Sequence, residues 1–199
     1  MLTGRDLNIV ESIRTFGALD TQQITRLHFA DLKPASAVTK ARECMRRIRA
    51  EKDLGIQYEK CMYSGRLLYY TKRAQLRHKR LVAEFYIRLK EGPGKILEFE
   101  TEFVAGGDGA GAGSLRADAL AAYEINEKVR LFCLEVHISN NKLDLVKYER
   151  VCLGPDWNYP CLPVIVVVSD RQGKIGKLRG GMEVVRIGTD YAGMERVLN

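Results

Sequence analysis

LFCLEVHISN, residues 131–140, is the stretch on which the reading of the second half of this chain turns. Residues 131–134 form an apolar run, and Glu135 and His137 follow it two positions apart. Strand side chains alternate between faces, so Glu135 and His137 share one face. The stretch reads as an interior strand with a polar pair near its end. Its neighbours agree with this. KILEFETEFVA (95–105) alternates from Ile96 to Val104, with Glu98, Glu100 and Glu102 on the other face. LRADALAAYEI (115–125) is a second strand, with Asp118 near its start. NKLDLVKYERVCLG (141–154) has a helical pattern, and CLPVIVVVSD (161–170) is apolar enough for a central, buried strand. GKLRGGMEVVRIGTDYAGMERVL (176–198) adds one short strand and a terminal turn of helix. The glycine-rich GGDGAGAGS (106–114) lacks the Gly-Lys-Ser/Thr of a phosphate loop and is expected to be a mobile inter-strand loop.

The first half is patterned differently. TGRDLNIVESIRTFG (3–17) predicts a helix with Leu7, Val10 and Ile13 on one face, a capping-box start at Thr3 and Asp6, and a stop at Gly17. DTQQITRLHF (20–29) predicts a short second helix, N-capped by Asp20, with Ile24, Leu27 and His28 turned inward. PASAVTKARECMRRIRAEKDLG (34–55) predicts a third, opened by Pro34 and closed by Gly55. Its apolar stripe is narrow: Val38, Ala41, Met45 and Ile48. Ser36, Thr39, Lys40, Arg42, Glu43, Arg46 and Arg47 are left for an outward basic and polar surface, which suits insertion into a DNA major groove. IQYEKCMY and LLYYT then flank Ser64-Gly65 as a hairpin, with Lys60 and Arg66 at its tip and Lys72 and Arg73 just beyond it. Helix, helix, basic helix, hairpin is the order of a winged helix-turn-helix. TKRAQLRHKRLVAEFYIRLKEG (71–92) follows as a connecting helix, basic at first and apolar later, with Glu84 as its one interior acid and His78 expected to pack or cap. The expected architecture is α+β. A winged helix-turn-helix (1–74) precedes a mixed-sheet α/β domain (75–199), whose residues 75–91 are the connecting helix.

Charge divides the chain at the same place. Residues 1–90 hold 19 Lys and Arg against 9 Asp and Glu, and residues 91–199 hold 13 against 16. The whole positive excess therefore belongs to the N-terminal half, which points to a polyanion such as DNA. A membrane surface is less well supported, because no amphipathic basic helix with exposed aromatics accompanies the charge. No apolar run of about eighteen residues exists, and no basic leader with an apolar core opens the chain, so a cytoplasmic protein is expected. The five cysteines form no CxxC pair and read as reduced core residues.

Helix, three strands, helix, strand, with Asp118 on one strand and Glu-x-His on the next, outlines a PD-(D/E)xK nuclease core. In such a core an Asp and a Glu hold Mg²⁺, which activates water, and a Lys two residues after the Glu offsets developing charge. Asp118 and Glu135 are the candidate metal ligands, and Glu84 is a further candidate carboxylate. His137 stands where the Lys belongs, and imidazole is shorter and mostly neutral at pH 7. Lys142, on the predicted following helix, is the nearest replacement cation.

LTGRDLNIVESI, ARECMRRI, LYYTKRA, LRHKRLVAEFYIRL, LRADAL, FCLEVHIS, KLDLVKYERV and LPVIVVV together resemble the replication-relaxation family of bacterial plasmids and mobile elements. The resemblance spans about residues 2–170. It implies a winged-helix DNA-binding protein with a restriction-endonuclease-like C-terminal domain, tied to replication, copy control or transfer. Members of that family tend to carry Asp at the position of His137, and Ala117 departs from the usual Pro. The leading expectation is therefore a homodimer that binds duplex DNA at an origin or promoter and requires no cofactor. The alternatives are a Mg²⁺-dependent endonuclease or nickase using Asp118 and Glu135, and an adaptor that docks a replication or conjugation protein.

Overall fold

The structure is a computed structural model that describes residues 1–62, 64–106, 113–138, 143–171 and 178–198. It is α+β, with six α-helices and a mixed five-stranded sheet among the described residues. The chain divides into two compact units, Met1–Ile87 and Arg88–Asn199.

In the first unit, α1 (Gly4–Phe16) begins with a reciprocal capping box between Thr3 and Asp6. It ends at Gly17, whose φ of 74° suits glycine. Its inward face is Ile9, Val10, Ile13 and Phe16, whereas Leu7 is 53% exposed. β1 (Ala18–Asp20) leads into α2 (Thr21–His28), where Asp20 accepts from the backbone N–H groups of Gln22 and Gln23. That satisfies two of the four unpaired donors at the helix start. α3 (Pro34–Ala50) buries Ala37, Ala41, Cys44, Met45 and Ile48. Its seam passes through Ala37 rather than Val38, which is half-buried. β2 (Gln57–Lys60) and β3 (Leu67–Tyr70) form the expected hairpin. β1 pairs with the far side of β3, giving an antiparallel sheet in the order β1-β3-β2.

α4 (Leu76–Glu91) carries the boundary between the units. The sequence grouped this helix with the second domain, but its residues through Ile87 cluster with the first unit. The physical reason is a polar network that binds α4 to α2. Arg80 Nε donates to Asp20 Oδ2 at 2.9 Å, and Gln23 Nε2 donates to the Arg80 carbonyl at 2.8 Å. Arg26 Nη1 meets Glu84 Oε1 at 2.6 Å.

The second unit is a sheet of order β4-β5-β6-β7-β8. β4 (Lys95–Ala105), β5 (Leu115–Ile125) and β6 (Lys128–Val136) run antiparallel. β7 (Val164–Val168) and β8 (Val184–Ile187) continue the sheet in parallel. β6 is the middle strand, and the β6–β7 crossover carries α5 (Val146–Cys152). Tyr148, Val151 and Cys152 of α5 pack with Phe103, Leu120, Cys133, Ile165 and Val167 of the sheet. The C-terminus ends in α6 (Glu195–Leu198). Most of the expected glycine-rich loop, residues 107–112, lies outside the described residues, as do Asn141 and Lys142 of the predicted helix.

Candidate nucleic-acid interface

The exposed side of α3 faces an open groove of about 680 Å³ in the first unit. Pro34, Val38, Arg42, Arg46 and Arg49 line it from α3. Thr21, Gln22, Thr25 and Arg26 line it from α2, and Gly65, Arg66, Leu67 and Tyr69 from the hairpin. Five arginines and no carboxylate contribute to this lining. Burial pushes the Tyr69 phenol up, and Thr21, Arg49 and Arg42 pull it partly back.

The arginines of this unit fall into two groups. Arg47 turns away from an outward role and makes a fork on Asp6: Nε and Nη2 each donate at 2.9 Å. Arg26 is tied to Glu84, and Arg73 to Glu59 at 2.9 Å. Arg49 stacks on the Tyr58 ring with its guanidinium carbon 3.5 Å from the centroid. Arg42, Arg46 and Arg66 are exposed, and no side-chain hydrogen bond or ion pair ties them to another described residue. Of the other predicted contact residues, Ser36 and Thr39 are exposed on the first half of α3, and Thr39 Oγ1 donates to the Ala35 carbonyl. Lys40 pairs with Glu43 at 2.9 Å, and its hydrogen bond and charge hold the Glu43 carboxyl below its ordinary value. Lys60 and Lys72 are exposed on either side of the hairpin.

Sequence reasoning missed Arg26, Arg49 and the α2 groups of the groove. Arg49 had a legible signal, since Arg42, Arg46 and Arg49 are spaced i, i+4, i+7 along one helical face. Thr21, Gln22 and Thr25 had none, because only tertiary packing sets α2 beside α3.

In the second unit, β5 and β6 bring Asp118 and Glu135 to neighbouring strands. Asp118 Oδ2 accepts the Val136 backbone N–H at 2.6 Å. Glu135 Oε1 lies 2.6 Å from Lys147 Nζ and accepts the Tyr148 hydroxyl at 2.7 Å. Burial raises the Glu135 carboxyl, while the Lys147 charge and the hydrogen bonds from Lys147 and Tyr148 work against it. Burial and the adjacent Glu135 also push the Tyr148 phenol well up. The cation at Glu135 is thus Lys147, from the first turn of α5, and the predicted Lys142 lies outside the described residues. His137 is held by its backbone: its N–H donates to the Val168 carbonyl, and its carbonyl accepts from Ser169 Oγ. Glu84 belongs to the first unit, where Arg26 and Gln23 hold it.

Asp118 and Glu135, the two candidate Mg²⁺ ligands, each have one carboxylate oxygen engaged by the protein itself. Mg²⁺ is held by one or two carboxylates and keeps several waters in a near-octahedral shell. Lys147 already supplies positive charge beside Glu135. No cluster of three or more His, Cys, Asp or Glu side chains suited to a metal occurs among the described residues.

No family model matches the chain, and no curated protein does. Among solved structures, it is similar to protein VC1899 from Vibrio cholerae, with 15% identity and a TM-score of 0.36. That similarity covers 93% of this chain and 49% of the other, so the chain spans about half the length of that protein.

Proposed function

We propose that this protein binds duplex DNA through its first unit, read as a winged helix-turn-helix. α2 and α3 are the helix-turn-helix, α3 is the recognition helix, and the β2–β3 hairpin is the wing. One observation carries this reading: a groove bounded by α2, α3 and the hairpin holds five arginines and no acid. A polyanion entering it meets positive charge on both walls and no like-charge repulsion. The resemblance to the replication-relaxation family adds a setting, namely control of replication, transfer or transcription on a bacterial plasmid or mobile element. In that setting the protein acts in the cytoplasm as a homodimer. The second unit is then a nuclease-like scaffold in which Lys147 neutralises Glu135. No helix among the described residues is long and apolar enough to cross a membrane.

Fluorescence anisotropy with duplex DNA tests the reading. Neutralising about five phosphates gives a slope of log K against log salt near −4 to −5. The Arg42→Ala/Arg46→Ala variant is expected to bind at least tenfold more weakly, with a shallower slope. Unchanged affinity and slope in that variant would count against DNA binding at this groove.

A further inference from the structure

We infer that Arg42 and Arg46 read guanine bases, so that the preferred ligand is a duplex carrying two guanines about two base steps apart. This inference rests on the DNA-binding reading and specifies what the same groove recognises. Three of the five groove arginines do not share this role. Arg26 is held by Glu84 at 2.6 Å, Arg49 is stacked on Tyr58, and Arg66 sits on the hairpin side. Arg42 and Arg46 remain on the exposed face of α3, with no hydrogen bond or ion pair to another described residue. Their forks are therefore engaged by no other described residue. A guanidinium fork matches the O6 and N7 acceptors that guanine presents in the major groove, and it carries no acceptor for the cytosine N4 amino group. Spacing gives the second part of the inference. Four helical residues advance about 6 Å. Base steps advance about 3.4 Å, so the two forks meet edges roughly two steps apart. Arg49, fixed flat on an aromatic ring one turn further on, is placed to hold a phosphate and set the register.

Selection from a randomised duplex library, with the full chain, tests this. Wild-type protein is expected to enrich duplexes with two guanines separated by one base pair. Replacing one of them with 7-deazaguanine, which removes N7, is expected to weaken binding about tenfold. Arg46→Lys keeps the charge and loses the fork. It is expected to retain the salt slope within about one unit and lose the preference at one guanine only. Enrichment without guanines, or the same guanine preference in Arg46→Lys, overturns this inference while leaving DNA binding intact. Failure to bind any duplex at low salt overturns the DNA-binding reading as well.

Discussion

Asp6 is fully buried at the start of α1, where it accepts from Arg47 twice and from the Thr3 backbone and hydroxyl. Burial alone would raise its carboxyl. The bonds from Arg47 and Thr3 outweigh that and hold it well below the ordinary 3.8. A carboxyl depressed in this way contributes stability above its unfolded value and loses it as pH falls toward the folded one. Asp6→Ala is expected to cost the first unit about 2 kcal/mol at pH 7 and to flatten its acid unfolding profile below about pH 4, followed by circular dichroism. Arg47→Met should destabilise in the same direction, because it leaves the buried Asp6 carboxylate without its cation. Glu135 has the opposite sign. Its carboxyl is raised by burial, so its contribution is complete below 4.5 and is lost as pH rises through the folded value. Lys147→Met leaves that carboxylate without its cation. The expected outcome is a further upward shift of the Glu135 titration, read by carbon-13 NMR. At neutral pH the destabilisation is about 3 kcal/mol, relieved as pH falls.

At the scale of elements, α1 to α3 were legible because their signals are local. Capping boxes lie within four residues, Pro34 opens α3, and apolar spacing marks the inward face. Two inward positions differ, Ile9 in place of Leu7 and Ala37 in place of Val38, while Val10, Ile13, Ala41, Met45 and Ile48 stay inward, because the packed neighbours choose which edge of the apolar stripe is covered. β1 was illegible: three residues show no alternation, and its partner Leu68–Tyr70 lies about fifty positions away. The β5–β6 turn was also missed, so β6 begins three residues earlier than Leu131. Asn126 and Glu127 have φ of 50° and 61°, the left-handed pair that a two-residue type I′ turn requires. Sequence marks such turns by glycine, and Glu127 stands where Asn-Gly would be expected. Glu127→Gly is therefore predicted to stabilise the hairpin by roughly 0.5–1 kcal/mol, measurable as a rise in Tm of a few degrees.

At the scale of the molecule, two units of opposite charge share one chain, and each predicts its own assay. Supercoiled plasmid incubated with Mg²⁺ or Mn²⁺ is expected to stay intact, since Lys147 already supplies the positive charge beside Glu135. Metal-dependent nicking that disappears in Glu135→Ala would replace that expectation with the endonuclease alternative. A homodimer would protect two half-sites about 34 Å apart in footprinting, one helical turn of DNA. Protection of a single half-site would point to a monomer.

Sequence by itself determined the α+β class, the order of the elements other than β1 and the basic character of the first half, because capping, period and charge are local or additive properties. Tertiary structure alone decided which basic side chains remain available. Arg46 and Arg47 are adjacent and chemically identical, yet one faces the groove and the other is bound to Asp6, forty-one residues away. It also placed Lys147 of α5 beside Glu135. Side-chain pairing depends on which elements pack together, and no local pattern in the sequence encodes that.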